Sequence, residues 1–325
     1  MPPIRHRILA GLLGALALAA LPAWAQDAAY PAKPITLVVG YPAGGSTDLT
    51  GRAVGDALAK QLGVPVVIEN LGGAGGAIGA QKVANAAPDG YTLLVGANNE
   101  VAISRLVTKT TKYELKDFTP IGLIASQPMV LVASPSAGVK NLDEFIAKVK
   151  AAPGKTSYGS SGVGTGLHLA GEMVKQRAGL FMTHIPYRGV APLTTDLVGN
   201  NLEFGVFVLS SGLPHIKSGK VVALGTTEAR RSAFTPDIPA LGEHAALQGI
   251  DIGTWFALLG PAKLPEAVRA RLKTALNAVL NSAEFRQKME ASGSTVASAD
   301  VDIQPFLQAE VAKYQKIVQF ANIEQ

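Results

Sequence analysis

Apolar and polar positions along this chain follow a recurring strand–turn–helix order. Ile35 to Gly40 is a continuous apolar run, the pattern of a strand buried on both faces. It enters Tyr41-Pro42-Ala43-Gly44-Gly45-Ser46-Thr47-Asp48, where Pro and Gly interrupt regular structure. Beyond Ser46, the residues Leu49, Val54, Leu58 and Leu62 recur at near-helical spacing, and Gly63 is a natural stop. Val64 to Glu69 reads as a second strand. This succession is a βαβ unit and implies a parallel sheet.

The order repeats. A Gly-rich stretch from Leu71 to Gly76 precedes a helix expected over Ala77 to Ala87, and Pro88-Asp89-Gly90 is a turn. Tyr91 to Val95 is the next strand, ending in the polar loop Gly96-Ala97-Asn98-Asn99-Glu100. A further strand is expected from Met129 to Ala133, and Asn141 caps a helix from Leu142 to Lys150. Thr156 to Tyr158 leads into a second Gly/Ser loop, residues 159–166, before a helix near Leu167 to Arg177. Strands follow at Thr183 to Ile185, Leu202 to Leu209 and Val221 to Gly225, with helices at Pro192 to Val198 and Leu213 to Lys217 between them. Trp255 to Leu259 is a late strand, and helices then occupy Pro265 to Leu280, Ala283 to Glu290 and Ile303 to Phe320. The chain thus contains two α/β units. If the segment after about residue 252 returns to the first unit, the chain crosses twice and creates an interdomain cleft.

The 325 residues suffice for two domains. High apolar content with a net charge of only +5 excludes disorder. The absence of Cys excludes a disulfide scaffold, a thiol nucleophile and a Cys-ligated zinc site. At the N-terminus, Arg5-His6-Arg7 precedes an apolar run from Ile8 to Leu21, then Pro22 and Ala23-Trp24-Ala25. This is the layout of a secretory signal peptide, residues 1–25, cleaved after Ala25. The run is shorter than the roughly 20 residues a membrane-spanning helix needs. Cleavage deletes Arg5 and Arg7 and leaves a charge of +5 − 2 = +3, too weak a basic surplus to indicate nucleic acid.

Both Gly/Ser loops stand where a strand ends and a helix begins. The first amides of a helix lack internal partners and carry a partial positive charge, so such a terminus binds an anion without Lys or Arg. Gly44, Gly45 and Gly162 to Gly166 permit close backbone approach, and Ser46, Thr47, Ser160, Ser161 and Thr165 add hydroxyls. Two termini facing across a cleft would grip a small carboxylate. The alternative is that Ser46 and Thr165 are ordinary N-caps and the glycines only make turns. Asp48 would repel an anion, so a structural role at the helix start suits it better. His168 is either a satisfied histidine or a hydrogen-bonding group of the cleft wall. Tyr187 could line the cleft floor, and Arg188 is expected to pair with a neighbouring side chain.

Enzymatic motifs are missing. Gly159-Ser160-Ser161-Gly162 misses the nucleophile-elbow spacing by one residue. Neither a phosphate-binding G-x-x-x-x-G-K-[ST] loop nor an H-E-x-x-H pair occurs. A secreted serine-type hydrolase using Ser161 and His168 is the alternative from another function class, and it would need a positioned base and oxyanion donors.

Several short segments form a combination more specific than any one of them. They are Tyr30-Pro31-Ala32-Lys33-Pro34-Ile35, Gly44-Gly45-Ser46-Thr47-Asp48, Glu69-Asn70 with Gly73-Ala74-Gly75-Gly76, and Pro88-Asp89-Gly90-Tyr91-Thr92. The 159–168 loop, Pro186-Tyr187-Arg188-Gly189, the stretch from Leu213 to Lys220 and Trp255-Phe256 complete the set, which taken in order resembles the Bug-type periplasmic solute receptors of the tripartite tricarboxylate transporter group. The resemblance implies an α/β, two-domain type II periplasmic binding fold, each domain a mostly parallel sheet flanked by helices, with residues 26–125 plus 253–325 in one domain and 126–252 in the other. It implies a monomer in the periplasm that needs no cofactor or metal, and that delivers a small carboxylate to separate integral-membrane transporter subunits; a sensor module with the same ligand site is a further alternative. The ligand would lie among Tyr41, Gly45, Ser46, Thr47 and Asn98 on one side and Ser160, Ser161, Gly164, Thr165, His168 and Tyr187 on the other. These receptors often carry an acidic residue where this chain has Val206-Phe207-Val208-Leu209, so an organic acid without an amino group fits better, aromatic and dicarboxylic acids included. Tyr41, where the family commonly has Phe, suits an aromatic or hydroxylated ligand equally.

Overall fold

The computed structural model describes residues 30–323, so the expected signal peptide lies outside the described residues. The apolar run after Pro34 forms β1 (Ile35–Val39), and the helical repeat after Gly45 forms α1 (Ser46–Leu62), stopped by Gly63 at φ 74°. β2 (Val66–Asn70), α2 (Ala77–Ala84) and β3 (Thr92–Ala97) complete the first unit. A wide helical turn, Asn99–Ile103, then runs directly into α3 (Ser104–Val107).

The next strand departs from the sequence pattern. β4 spans Phe118–Ala133, 16 residues, where only Met129 to Ala133 was expected. Pro120, Gly122 and Pro128 break the apolar signal, yet the strand accommodates them. Pro120 and Gly122 flank a register shift, and Pro128 is the last residue of β4 paired with the returning strand β9 (Gly253–Pro261). Proline is tolerated at such irregular ladder positions because no regular donor is needed there.

The second unit contains α4 (Leu142–Ala151), β5 (Ser157–Ser160), α5 (Gly166–Ala178), β6 (Thr183–Pro186), α6 (Val190–Val198), β7 (Phe204–Val208), α7 (Leu209–Lys217) and β8 (Val222–Thr226). Two starts are corrected. α6 begins at Val190 rather than Pro192, with proline inside the first turn where its missing N–H costs nothing. α7 begins at Leu209 rather than Leu213, immediately after β7. After β9 come α8 (Glu266–Leu280), α9 (Ala283–Glu290), β10 (Thr295–Val296) and α10 (Ile303–Ala321).

The sheet path is β2-β1-β3-β9-β4-β7-β5-β6, with β8 and β10 also on β4. It is parallel on both flanks, β2-β1-β3 and β7-β5-β6, and antiparallel where β4 and β9 run. β4 pairs with β9 through Pro128, then with β7 from Met129 onward, so one strand serves both halves. β9 returns to lie beside β3, with Leu94 opposite Leu259. Chain crossings thus occur within β4 and before β9, leaving a cleft between the halves.

One core packs α1, α8 and α9 against β1 and β9 through Leu37, Val54, Leu58, Leu276 and Phe285. A larger one joins α5 and α10 to the sheet through Phe145, Leu169, Phe204, Leu307 and Tyr314. Each fully buried Leu or Phe contributes roughly 1.5–3 kcal/mol. Among the described residues, no helix is long and apolar enough to cross a membrane.

Candidate functional site

The cleft holds an inner chamber with about 540 Å³ of empty space, open solvent included. Gly45, Ser46 and Thr47 line it from one half, and Ser161, Gly189, Val190 and Ala191 from the other. Tyr41, Pro42, Asn98, Asn99 and Thr254 complete its polar and loop walls, with Met129, Leu167 and Val208 as apolar ones. A wider outer space of about 1760 Å³ adjoins it, lined by the Gly72–Gly76 turn, Gly162 to Thr165, Tyr187 and Arg188.

Three helix N-termini converge here. α1 starts at Gly45 with no side-chain cap, so its first amides have no side-chain acceptor. Ser46 is therefore a first-turn residue rather than the N-cap. α6 starts at Gly189, φ 106°, likewise without a side-chain cap. α5 starts at Thr165, a genuine N-cap whose Oγ1 accepts from His168 N at 3.4 Å. The partial positive charges of these termini favour an anion between them. The α6 terminus was missed in the sequence because Pro192 drew the expected helix start two residues too late.

The halves touch through named contacts. Gly166 N–H donates to Asn99 Oδ1 at 2.7 Å, joining α5 to the Asn99 turn. A Cβ on Gly189 would lie 3.6 Å from Pro42, and one on Gly164 would meet Val107 Cγ2 at 2.5 Å. Gly164, at φ 72°, is thus required by both backbone conformation and space.

Tyr41 lines both spaces, and its hydroxyl accepts from Asn99 Nδ2 at 3.0 Å. The same oxygen lies 2.8 Å from Gly75 O and 2.7 Å from Glu100 Oε2. Glu100, read in the sequence only as loop polarity, is 1% exposed and accepts from Ala97 N at 2.6 Å. Burial pushes its carboxyl up to about 7, outweighing the lowering by its hydrogen bonds from Ala97 N and the Tyr41 hydroxyl. Asn98 donates to Tyr314 Oη at 2.8 Å, which fixes it on the chamber floor.

Asp48 is buried and faces no ligand space. It accepts from Gly44 N at 2.9 Å, Asn70 Nδ2 at 2.9 Å and Arg52 Nε at 3.0 Å, which ties the Gly44–Gly45 turn to β2. Burial opposes its charge, but these bonds hold its carboxyl below the ordinary value.

Not every expected site residue reaches the cleft. Ser160 is fully buried, its Oγ 2.7 Å from His184 Nε2. His168 stacks on His184, ring centroids 3.8 Å apart and planes 11° from parallel. Its Nδ1 accepts from Gly164 N at 3.0 Å, and its Nε2 faces Glu172 at 3.8 Å. His168 therefore supports the loop from behind. Ser161 Oγ donates to Thr165 Oγ1 at 3.3 Å instead of to a histidine, so the nucleophile–base pair of the hydrolase alternative is not formed. Burial, together with Lys175, pushes the His168 imidazole down to about 4 despite Glu172; burial, His168 and Lys175 push His184 to about 3. Tyr187 borders the outer space while its hydroxyl donates to Asp196 Oδ2 at 2.7 Å. Arg188 also borders it but, contrary to expectation, is in none of the ion pairs found among the described residues. Those residues contain no cluster of three or more His, Asp or Glu side chains that could hold a metal ion.

Comparison with known proteins shows the family of this chain. Residues 50–323 match the profile of the tripartite tricarboxylate transporter family receptor, TctC. Protein BugT of Bordetella pertussis is 32% identical over 315 residues, covering 96% of each chain. The structure of Rpa4515 from R. palustris with adipate superimposes with a TM-score of 0.87 at 30% identity, covering 91% of this chain and 99% of that one. MatC (Rpa3494) from Rhodopseudomonas palustris, with bound malate, gives 0.82 at 28% identity, covering 89% and 100%.

Proposed function

This chain belongs to the tripartite tricarboxylate transporter receptor family, and from that premise we propose that it is a periplasmic receptor closing on a small carboxylate without catalysing a reaction. One observation carries the reading: the uncapped N-termini of α1 and α6 line a single chamber from opposite halves. Fixed amides and helix dipoles supply the charge complement, and Ser46, Thr47 and Ser161 add hydroxyls within the same walls.

Met129, Leu167 and Val208 leave the remaining wall apolar, and among the described residues no acidic side chain lines the inner chamber to meet an ammonium group. The reading therefore favours an organic acid without an amino group, and the relatives with adipate and malate support a dicarboxylate. Tyr41, Gly45, Asn98, Gly164, Thr165 and Tyr187 frame the site, while Ser160 and His168 act through the loop they support. The two domains, residues 26–125 plus 253–325 and 126–252, hinge where β4 and β9 pass between them. Closure requires only that the ligand touch both sides at once. The loaded monomer hands its cargo to separate membrane subunits.

A thermal-shift and calorimetric screen over mono-, di- and tricarboxylates tests this reading. Stoichiometric binding with stabilisation and no turnover is expected. Failure of every carboxylate to stabilise the protein, or ester cleavage abolished by Ser161→Ala, contradicts it.

A further inference from the structure

Proton counting around Tyr41 leads beyond ligand binding. One phenol proton cannot serve both Gly75 O, at 2.8 Å, and Glu100 Oε2, at 2.7 Å. If Glu100 is ionised, the proton turns to the carboxylate and Gly75 O loses its donor. If Glu100 carries a proton, its O–H donates to the phenol oxygen, the phenol donates to Gly75 O, and Asn99 Nδ2 donates to Tyr41 as before. Every group is then satisfied, and Ala97 N still reaches Glu100 Oε1.

We propose that Glu100 is held as the neutral acid beneath the cleft and is a positioning residue for carboxylate binding, fixing the Gly75 turn and the Gly166 amide through Tyr41 and Asn99. The ligand half of this proposal rests on the receptor reading above. The path is continuous: Glu100 meets Tyr41, Tyr41 meets Asn99, and Asn99 accepts from Gly166 at the start of α5.

The surroundings agree. The titratable groups facing Glu100 are Tyr41 and Tyr113, whose hydroxyl donates to the Glu100 carbonyl at 2.7 Å. Tyr314, on packed α10, is engaged with Asn98 and Gly253 O. Lys82 of α2 pairs with Glu69 and Arg105 of α3 with Glu114. Lys313 and Lys316 of α10, like every other cation among the described residues, form no ion pair with Glu100. An ionised carboxylate 1% exposed and without a cation is costly, whereas the acid form is not. A neutral Glu100 also removes a charge that would oppose an anion one side chain away. Carboxylate affinity then falls as pH rises through the Glu100 ionisation, and binding takes up a proton.

Carbon-13 NMR of the ligand-free protein labelled at glutamate Cδ, with the Gly166 amide followed in parallel, tests this from about pH 5 to about pH 9. A carboxyl absent from Glu100→Gln is expected to hold its proton to about 7, and the Gly166 amide to follow the same titration, flat in the variant. Glu228, also pushed up by burial and Asp251, stays in both spectra and separates itself. Should Glu100→Gln fold poorly, Tyr41→Phe provides the assignment, because loss of the phenol must move the Glu100 resonance. A Glu100 carboxyl ionised in the ordinary range overturns the proposal, as does a Gly166 amide indifferent to it. With adipate or malate as probe, the limiting loss of affinity is about tenfold per pH unit above the ionisation in wild type and absent in Glu100→Gln. The NMR titration needs no ligand, so a probe that fails to bind counts against the receptor reading alone.

Discussion

Asn99 Oδ1 accepts the Gly166 N–H at 2.7 Å, so a side chain of the first half occupies the leading amide of a helix in the second. An amide oxygen there stands where a carboxylate oxygen of a ligand would be equally at home. Asn99→Asp places a permanent carboxylate at that position. It supplies the α5 dipole with a charge worth roughly 0.3–1 kcal/mol but removes the Nδ2 donor to Tyr41, and it should weaken carboxylate binding by about tenfold. Calorimetry with adipate checks the loss of affinity; unchanged or tighter binding contradicts the account.

Gly164 tests the fit of the halves. Gly164→Ala should cost about 1 kcal/mol from its positive φ, and its Cβ would press on Val107 Cγ2. Closure, and with it carboxylate affinity, should suffer. Adding Val107→Ala should restore affinity but not the backbone cost. Denaturant unfolding and calorimetry on both variants separate the two effects.

The buried histidine pair predicts acid sensitivity. Both imidazoles are neutral in the fold, with values pushed down to about 4 and about 3, whereas an unfolded histidine titrates near 6.5. Below pH 6.5 the unfolded chain binds protons that the fold refuses, so stability is intact above that value and is lost as pH falls towards 4. For His168 the loss is roughly 3 kcal/mol over that window. A charged His168 would also lose the Nδ1 lone pair that accepts from Gly164. Urea unfolding across this range should show the slope, reduced in His168→Gln; an equal slope in the variant contradicts the assignment.

Asp48 holds the first turn together. Asp48→Ala strips Gly44 N of its acceptor, leaves Asn70 Nδ2 with Tyr41 O alone, and should cost roughly 1–3 kcal/mol. Arg52→Ala should cost far less, since its side chain is half exposed. Comparable losses in the two variants would contradict this division of roles.

Much of the candidate chamber's lining was legible in the sequence, for a physical reason. Gly44-Gly45-Ser46-Thr47 directly follows a buried apolar run, and glycine at a strand-to-helix junction marks backbone that can approach a ligand. The same logic placed Ser161, Gly164 and Thr165 beside the cleft. Sequence was blind where tertiary packing decides. Pro120, Gly122 and Pro128 hid eleven residues of β4, because irregular pairing absorbs prolines that a regular strand would not. Glu100 reads as loop polarity until Tyr41, distant by 59 positions, is seen to cover it. His168 was read as either a satisfied histidine or a cleft-wall group, and sequence could not decide because the ring it stacks on, His184, lies on another element with no spacing signal.

The most direct test is a crystal structure grown with adipate or malate. The account predicts a carboxylate against the amides that open α1 and α6, between Ser46-Thr47 and Gly189–Ala191, in contact with both halves. A ligand bound to one half only, or seated outside this chamber, contradicts it.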